Sequence, residues 1–114
     1  RLYAKSDERL KDIDGNIKID LDKLQEISKI YYYWKDKEKG EKRHIGTIAQ
    51  DIIKYYPELV STDENGEMAV NYEKLSIIAL AGIDKLYDII KFLQDENKIL
   101  KQNIKKIEEI FISL

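Results

Sequence analysis

Residues 83–114 read IDKLYDIIKFLQDENKILKQNIKKIEEIFISL, and the architecture of the whole chain depends on them. Apolar residues recur here at alternating steps of three and four, which is the seven-residue repeat of a coiled coil. Position a of the repeat is filled by Ile83, Ile90, Asn97, Ile104 and Phe111. Position d is filled by Leu86, Leu93, Leu100, Ile107 and Leu114. With no proline to interrupt it, the repeat predicts one long helix with an apolar seam along one side.

An isolated helix cannot bury such a seam, so the repeat predicts association with further copies of the chain. The alternative is an ordinary amphipathic helix packed on its own domain, but a repeat this long and regular favours the coiled coil. Isoleucine at a with leucine at d is typical of dimers, whereas Ile89 and Ile110 at g broaden the face toward three or more strands. Asn97 would set the register at some cost in stability, and Glu96 at g can pair with Lys101 at the following e in parallel strands.

The composition limits the classes of function open to this chain. Charged residues make up 37% of the 114 residues, yet the net charge is only −2, a balance that leaves no electrostatic footprint for nucleic acid. The longest apolar run, between Ser76 and Asp84, is far too short to span a bilayer, and no signal peptide opens the sequence. There is no cysteine, which excludes disulfides and thiolate chemistry. We therefore expect no nucleic-acid partner, no membrane partner and no cofactor. Since Arg1 is not a natural start, we also expect a fragment of a longer protein.

The residues before the long helix predict a small α+β head. A short amphipathic helix is predicted over Leu21–Ile30, and the aromatic run Ile30–Lys35 is predicted to pair as a strand with His44–Ala49. A second short helix, Ala49–Tyr56, is stopped by the proline that follows it. The dipeptide Asn65-Gly66 is typical of a hairpin turn.

The first part of the long helix, residues 72–82, is expected to lie against the small sheet through Leu75, Ile78 and Leu80. The side chains expected to be largely buried are those of Trp34, Ile45, Ile48, Leu75 and Ile78.

Two polar features invite a metal-site interpretation and fit it poorly. The run Asp12–Asn16 resembles the start of a calcium loop, but Gly15 comes two places early and the twelfth position is Lys23 where glutamate is required. His44 is the only histidine, and no cysteine or second histidine could share a metal with it, so a structural role is favoured. We expect no metal site.

Seven features occur in a specific order along nearly the whole chain from Ser6. They are Ser6–Lys11, Tyr32–Lys35, His44–Asp51, Pro57–Val60, Gly66, Val70–Tyr72 and the long helix. In this order they resemble the C-terminal intramolecular chaperone domain of endosialidase-type phage tail spikes and fibres, a domain that also occurs in myelin regulatory factor. Each motif alone is weak, and their order and spacing carry the resemblance. Asp51 stands where glutamate is usual, and we assign it no role.

The resemblance implies a homotrimer that assists trimerisation and folding of the fibre or spike domain preceding it in the same polypeptide, and then cuts itself off. It implies a Ser–Lys dyad with Ser6 as nucleophile and Lys11 as base, and a cut at the Lys5–Ser6 bond. It places this work in the host cytoplasm during virion assembly, with the domain released from the mature fibre after cleavage. The prediction is thus an upstream tail (1–5), a compact head (6–72) and a helix (73–114) that forms a trimeric coiled coil, with one small antiparallel sheet.

The residues alone leave the dyad undecided. Ser6 by itself is typical of a helix N-cap. A lysine can act as a base only when it is neutral, which requires burial or a nearby positive charge; Arg9 could supply one, or could equally pair with Asp7. On one regular helix, side chains five residues apart point about 140° apart. Ser6 must therefore lie outside the helix, or the dyad must form between protomers. A structural trimerisation domain that never cuts stays open as the alternative.

Overall fold

Residues 3–114 are described by a computed structural model, and Arg1 and Leu2 of the predicted tail lie outside the described residues. Its α-helices are α1 (Leu21–Glu26), α2 (Ala49–Ile53) and α3 (Tyr72–Ser113). Its strands are β1 (Ile30–Tyr32), β2 (His44–Gly46), β3 (Val60–Thr62) and β4 (Met68–Val70). Short 3-10 turns occupy Glu8–Leu10, Lys37–Lys39 and Pro57–Leu59. The mixed α+β class is confirmed.

The strands form two separate antiparallel hairpins, so the predicted antiparallel pairing is confirmed, but in two small sheets and not one. In the first hairpin Tyr31 lies opposite Ile45, and in the second Ser61 lies opposite Ala69. The two stay apart because α2 intervenes between them in the chain and packs against both strands of the second hairpin. At the tip of that hairpin Asp63 accepts backbone hydrogen bonds from residues 65 and 67, and Gly66 takes a φ of +80° that favours glycine.

A small apolar core joins the head to the first turns of α3. Its buried members are Ile27, Ile52, Leu59 and Ile78, and among the described residues only Ile52 is fully buried. Leu75 packs against this cluster, so α3 is anchored by two residues about one turn apart. The first hairpin approaches α3 closely at Gly46, where an added Cβ would lie 3.0 Å from the hydroxyl oxygen of Tyr72.

The burial predictions hold for part of the set. Ile78 is buried and Leu75 is half-buried, as expected. Trp34 is 41% exposed, Ile45 is 80% exposed and Ile48 is also exposed, so their predicted burial is wrong in the single chain. A two-stranded hairpin has two faces, and Ile45 shares one of them with Tyr31, which lies directly opposite it and is also exposed.

Leu80 was also expected to pack on the head, and it is exposed. The reason is helical geometry, because Leu80 lies two residues beyond Ile78 and points about 200° away from it.

The long helix α3 runs without interruption from Tyr72 to Ser113. Asn71 caps it, its side-chain oxygen accepting a hydrogen bond from the backbone N–H of Lys74 at 3.1 Å. Every residue after Gly82 is exposed in the single chain, including all members of the predicted seam. The molecule is correspondingly elongated, with extents of 78 × 42 × 26 Å. Nowhere in residues 3–114 does a helix combine the length and apolar character needed to cross a membrane.

Candidate active site around Ser6 and Lys11

The segment that carries Ser6 and Lys11 is built on one 3-10 turn. Asp7 caps the turn, because its side-chain oxygen accepts the backbone N–H of Arg9 at 3.0 Å and its carbonyl accepts the N–H of Leu10 at 3.0 Å. The interpretation of Ser6 as the helix cap is therefore wrong, and Ser6 lies one residue before the cap. Lys11 leaves the turn in extended conformation, with φ −121° and ψ 139°.

This local path brings the two predicted catalytic side chains together within one chain. Lys11 Nζ donates a hydrogen bond to Ser6 Oγ, and the two atoms are 2.7 Å apart. The obstacle of two residues on opposite sides of one helix does not arise, because Ser6 precedes the turn and Lys11 follows it. A serine oxygen in direct contact with an amine is the arrangement that a Ser–Lys nucleophile requires.

Arg9 is engaged by Asp7 and not by Lys11. The guanidinium of Arg9 lies 2.8 Å from the carboxylate of Asp7 through one nitrogen, and a second nitrogen also donates to that carboxylate. Hydrogen bonds from the side chain and then the backbone of Arg9 lower the pKa of Asp7, and the same side-chain contact raises the pKa of Arg9. Of the two roles left open for Arg9 by the sequence, the structure has the pairing with Asp7.

The pair lies on the open surface of the single chain. Lys5, Ser6 and Lys11 are all exposed. A lysine can act as a base only when it is neutral, which requires burial or a nearby positive charge. The single chain thus supplies the contact between nucleophile and base, but it does not supply the enclosure that would make the base neutral.

A known family matches the segment that contains this turn. The family model described as the chaperone of endosialidase matches residues 6–61. Residues 6–61 belong to the chaperone-of-endosialidase family. The match begins at Ser6 and contains Lys11, both hairpin strands β1 and β2, and α2. The name of this family also includes the word peptidase, so residues 6–61 form a peptidase-related domain. No curated protein matches the chain.

The matched part of this chaperone domain ends at Ser61, within β3. The strand β4 and the long helix α3 lie beyond it, so the resemblance drawn from the whole chain is confirmed for residues 6–61. The roles of Ser6, Lys11, Lys5 and the residues of the helical seam stay predictions.

His44 belongs to an aromatic cluster of the chaperone domain. Its ring stacks on Tyr32 with 5.4 Å between centroids, and it lies 6.3 Å from the ring of Trp34. No group of three or more His, Cys, Asp or Glu side chains within residues 3–114 is placed to hold a metal ion.

Asp51 has a structural role that sequence reasoning missed. Its carboxylate accepts the backbone N–H of Ser28 at 3.1 Å, while the hydroxyl of Thr47 donates to the carbonyl of Ser28 at 2.7 Å. Asp51 thus ties the first turn of α2 to the segment that enters β1. Hydrogen bonding by Ser28, through its side chain first and its backbone second, lowers the pKa of Asp51. The available signal was its place in the His44–Asp51 motif.

Proposed function

We propose that this chain is an intramolecular chaperone. It trimerises through α3, assists folding of the fibre or spike domain that precedes it in the same polypeptide, and then releases itself by cleavage before Ser6. The observation that carries this proposal is the 2.7 Å contact between Lys11 Nζ and Ser6 Oγ, inside a segment matched by the chaperone-of-endosialidase family. The work is done in the host cytoplasm while the virion is assembled.

The cleavage would proceed in two steps. With Lys11 neutral, its Nζ takes the proton from Ser6 Oγ as this oxygen attacks the carbonyl carbon of Lys5. The C–N bond of the Lys5–Ser6 peptide then breaks, the proton passes from Lys11 to the departing nitrogen of Ser6, and Lys5 is left as an ester on Oγ. Water hydrolyses the ester, which gives a carboxylate at Lys5 and restores the hydroxyl of Ser6. The chain reacts once, since its substrate is its own peptide bond.

Assembly would control this reaction through the charge of Lys11. In the single chain Lys11 touches Ser6 but is exposed to solvent, so burial does not yet favour its neutral form. Further copies gathered by the α3 seam could enclose the segment and make loss of the proton favourable. Cleavage would then follow trimerisation and would release only fibres that had assembled.

A trimerisation domain that never cuts is the second candidate. The exposure of Lys11 favours it, because an exposed ammonium is a poor base at neutral pH. The α3 seam serves both functions equally well, so only the fate of the Lys5–Ser6 bond separates them.

The experiment uses the chain with its native upstream segment restored. We expect one cut, without added protease or metal, and a product whose mass corresponds to a start at Ser6. Ser6→Ala should abolish the cut and leave assembly intact, since the side chain is small and exposed. Lys11→Arg should also abolish it, because a guanidinium stays charged.

Lys18→Arg is the matched control, an exposed lysine outside the turn, and should be processed normally. Equal processing of Ser6→Ala and the unmodified chain on a denaturing gel would show that Ser6 is not the nucleophile.

A further inference from the structure

An apolar groove lies beside the first turns of α3, on the side of the first hairpin. It has a volume of about 470 Å³ and is open to solvent. The apolar residues that line it include Leu24, Ile27, Ile45, Tyr72, Leu75 and Ile78. Ile45 is the most exposed of the large apolar residues in the hairpins, so this surface lacks a cover within the described chain.

The groove lies next to a continuation of the helical seam toward the N-terminus of α3. Counting the seven-residue repeat back from Ile83 places Ala79 at d, Ser76 at a and Tyr72 at d. All three are exposed, and α3 is continuous through them. The surface that the repeat presents to other copies therefore does not end at Ile83, but reaches the head.

The same repeat specifies what a neighbouring helix would bring to this surface. In a parallel coiled coil, a residue at g faces the residue at the following e of the next helix, as in the pair of Glu96 with Lys101. Five residues beyond Leu75, also at g, is Leu80 at e. Leu80 is 59% exposed and has no place in the core of its own chain.

We propose that the groove is a docking site for a second copy of this chain, with Leu80 of that copy inserted against Leu75 and Ile45. The inference rests on the parallel assembly in the proposed function, and extends it from the coiled coil into the head. The heads are then joined to one another directly, so that assembly of the seam orders the hairpin face that the single chain leaves bare.

Cysteine cross-linking tests the contact, since the chain has no cysteine of its own. A Leu75→Cys chain and a tagged Leu80→Cys chain, each of full length, are mixed in denaturant, refolded together and treated with a short bismaleimide. We expect a linked species containing one of each chain, and no linked species from either chain alone. Glu96→Cys mixed with Lys101→Cys serves as the reference for the parallel seam.

The two pairs separate the possible failures. If positions 96 and 101 link while 75 and 80 do not, the parallel assembly stands and the docking site is refuted. If neither pair links, the assembly itself fails and the inference falls with it. Linkage of both pairs supports the docking site.

A charge substitution provides an independent measurement. Leu80→Glu would bury a carboxylate in the groove, whereas Ile77→Glu, at position b on the same exposed helix, would not. We expect Leu80→Glu to raise the concentration for half-assembly by roughly tenfold or more in analytical ultracentrifugation, and Ile77→Glu to leave it nearly unchanged. Equal effects of the two substitutions would overturn the proposal.

Discussion

The head and the long helix differ in where their apolar residues find partners. The head closes a core within one chain, in which Ile27, Ile52 and Leu59 meet Ile78 from the start of α3. From Ile83 onward the helix has no buried residue, although its seam is more regular than any pattern in the head. One part of the molecule therefore buries apolar residues within a single chain, and the other leaves its apolar residues exposed.

This difference bears directly on the candidate active site. The turn that brings Ser6 to Lys11 belongs to the head side and forms within one chain. The enclosure that the base needs is missing from that chain, and the exposed seam is the feature best suited to bring other chains close. Chemistry and its control would thus reside in different parts of the molecule.

Charges placed in the seam should have the largest effect of all the changes considered, because they should dissociate the assembly while leaving the head core untouched. Leu93→Asp together with Leu100→Asp places carboxylates where apolar side chains of several copies would meet, so we expect complete dissociation of the proposed trimer. Light scattering measures it at micromolar concentration. Lys91→Asp with Lys98→Asp, two b positions, is the control and should remain assembled. A monomer for the unmodified chain would contradict the assembly, and a stable dimer would contradict the trimer.

A pair of isoleucines tests whether the head folds in one chain. In the dissociated Leu93→Asp, Leu100→Asp background, Ile52→Ala removes a fully buried side chain and should lower the free energy of unfolding by about 2–5 kcal/mol. Ile45→Ala, which truncates an exposed side chain, should change it by only about 0.5 kcal/mol. Urea unfolding followed by Trp34 fluorescence compares the two. Similar losses for both variants would mean that Ile52 does not belong to the core of the head.

Asn97 is the polar residue of the seam, and replacing it should strengthen the assembly instead of dissociating it. Asn97→Ile removes an amide from position a, and we expect the assembled chain to become more stable by on the order of 1–3 kcal/mol per copy. It should also lose register specificity, which linkage between Glu96→Cys and Lys101→Cys chains would report as a lower yield. An unchanged melting temperature would indicate that Asn97 lies outside the interface.

The smallest expected effect concerns pH and belongs to the head alone. Because Ser28 lowers the pKa of Asp51 in the folded chain, the stability from this contact is present above the unfolded pKa of about 4 and is lost as pH falls through the lower folded value. Asp51→Asn should therefore lose less stability than the unmodified head between about pH 7 and about pH 3. Urea midpoints at the two pH values measure this difference. Identical pH dependence would show that the contact does not contribute to stability.

The sequence predicted helices, turns and strand pairing well, but it predicted poorly which apolar side chains are buried against another element. The unbroken α3, the hairpin at Gly66 and the pairing of β1 with β2 follow from periodicity and turn chemistry, which act over a few residues. The exposure of Ile45 and Leu80 could not be read from their apolar character, because burial depends on which face meets another element. In this chain some faces meet none.

The candidate site was likewise predicted in part from the sequence. The nearness of Ser6 and Lys11 was expected only from the family resemblance, and the turn capped by Asp7 explains it. Residue type favoured Ser6 as the cap, but Asp7 is an equally good cap residue and takes that position in the structure. The role of Asp51 was missed because its partner is 23 residues away in the chain.

The bare seam of α3 has a consequence for chains that never find partners. A solitary helix of this kind is only marginally stable in water, so an orphan chain would spend much of its time with residues 83–114 unravelled. Unravelled segments rich in isoleucine and leucine are the parts of a protein that housekeeping proteases and holdases engage first. The seam that joins assembled copies would therefore also expose unassembled chains to degradation, which would keep their concentration low.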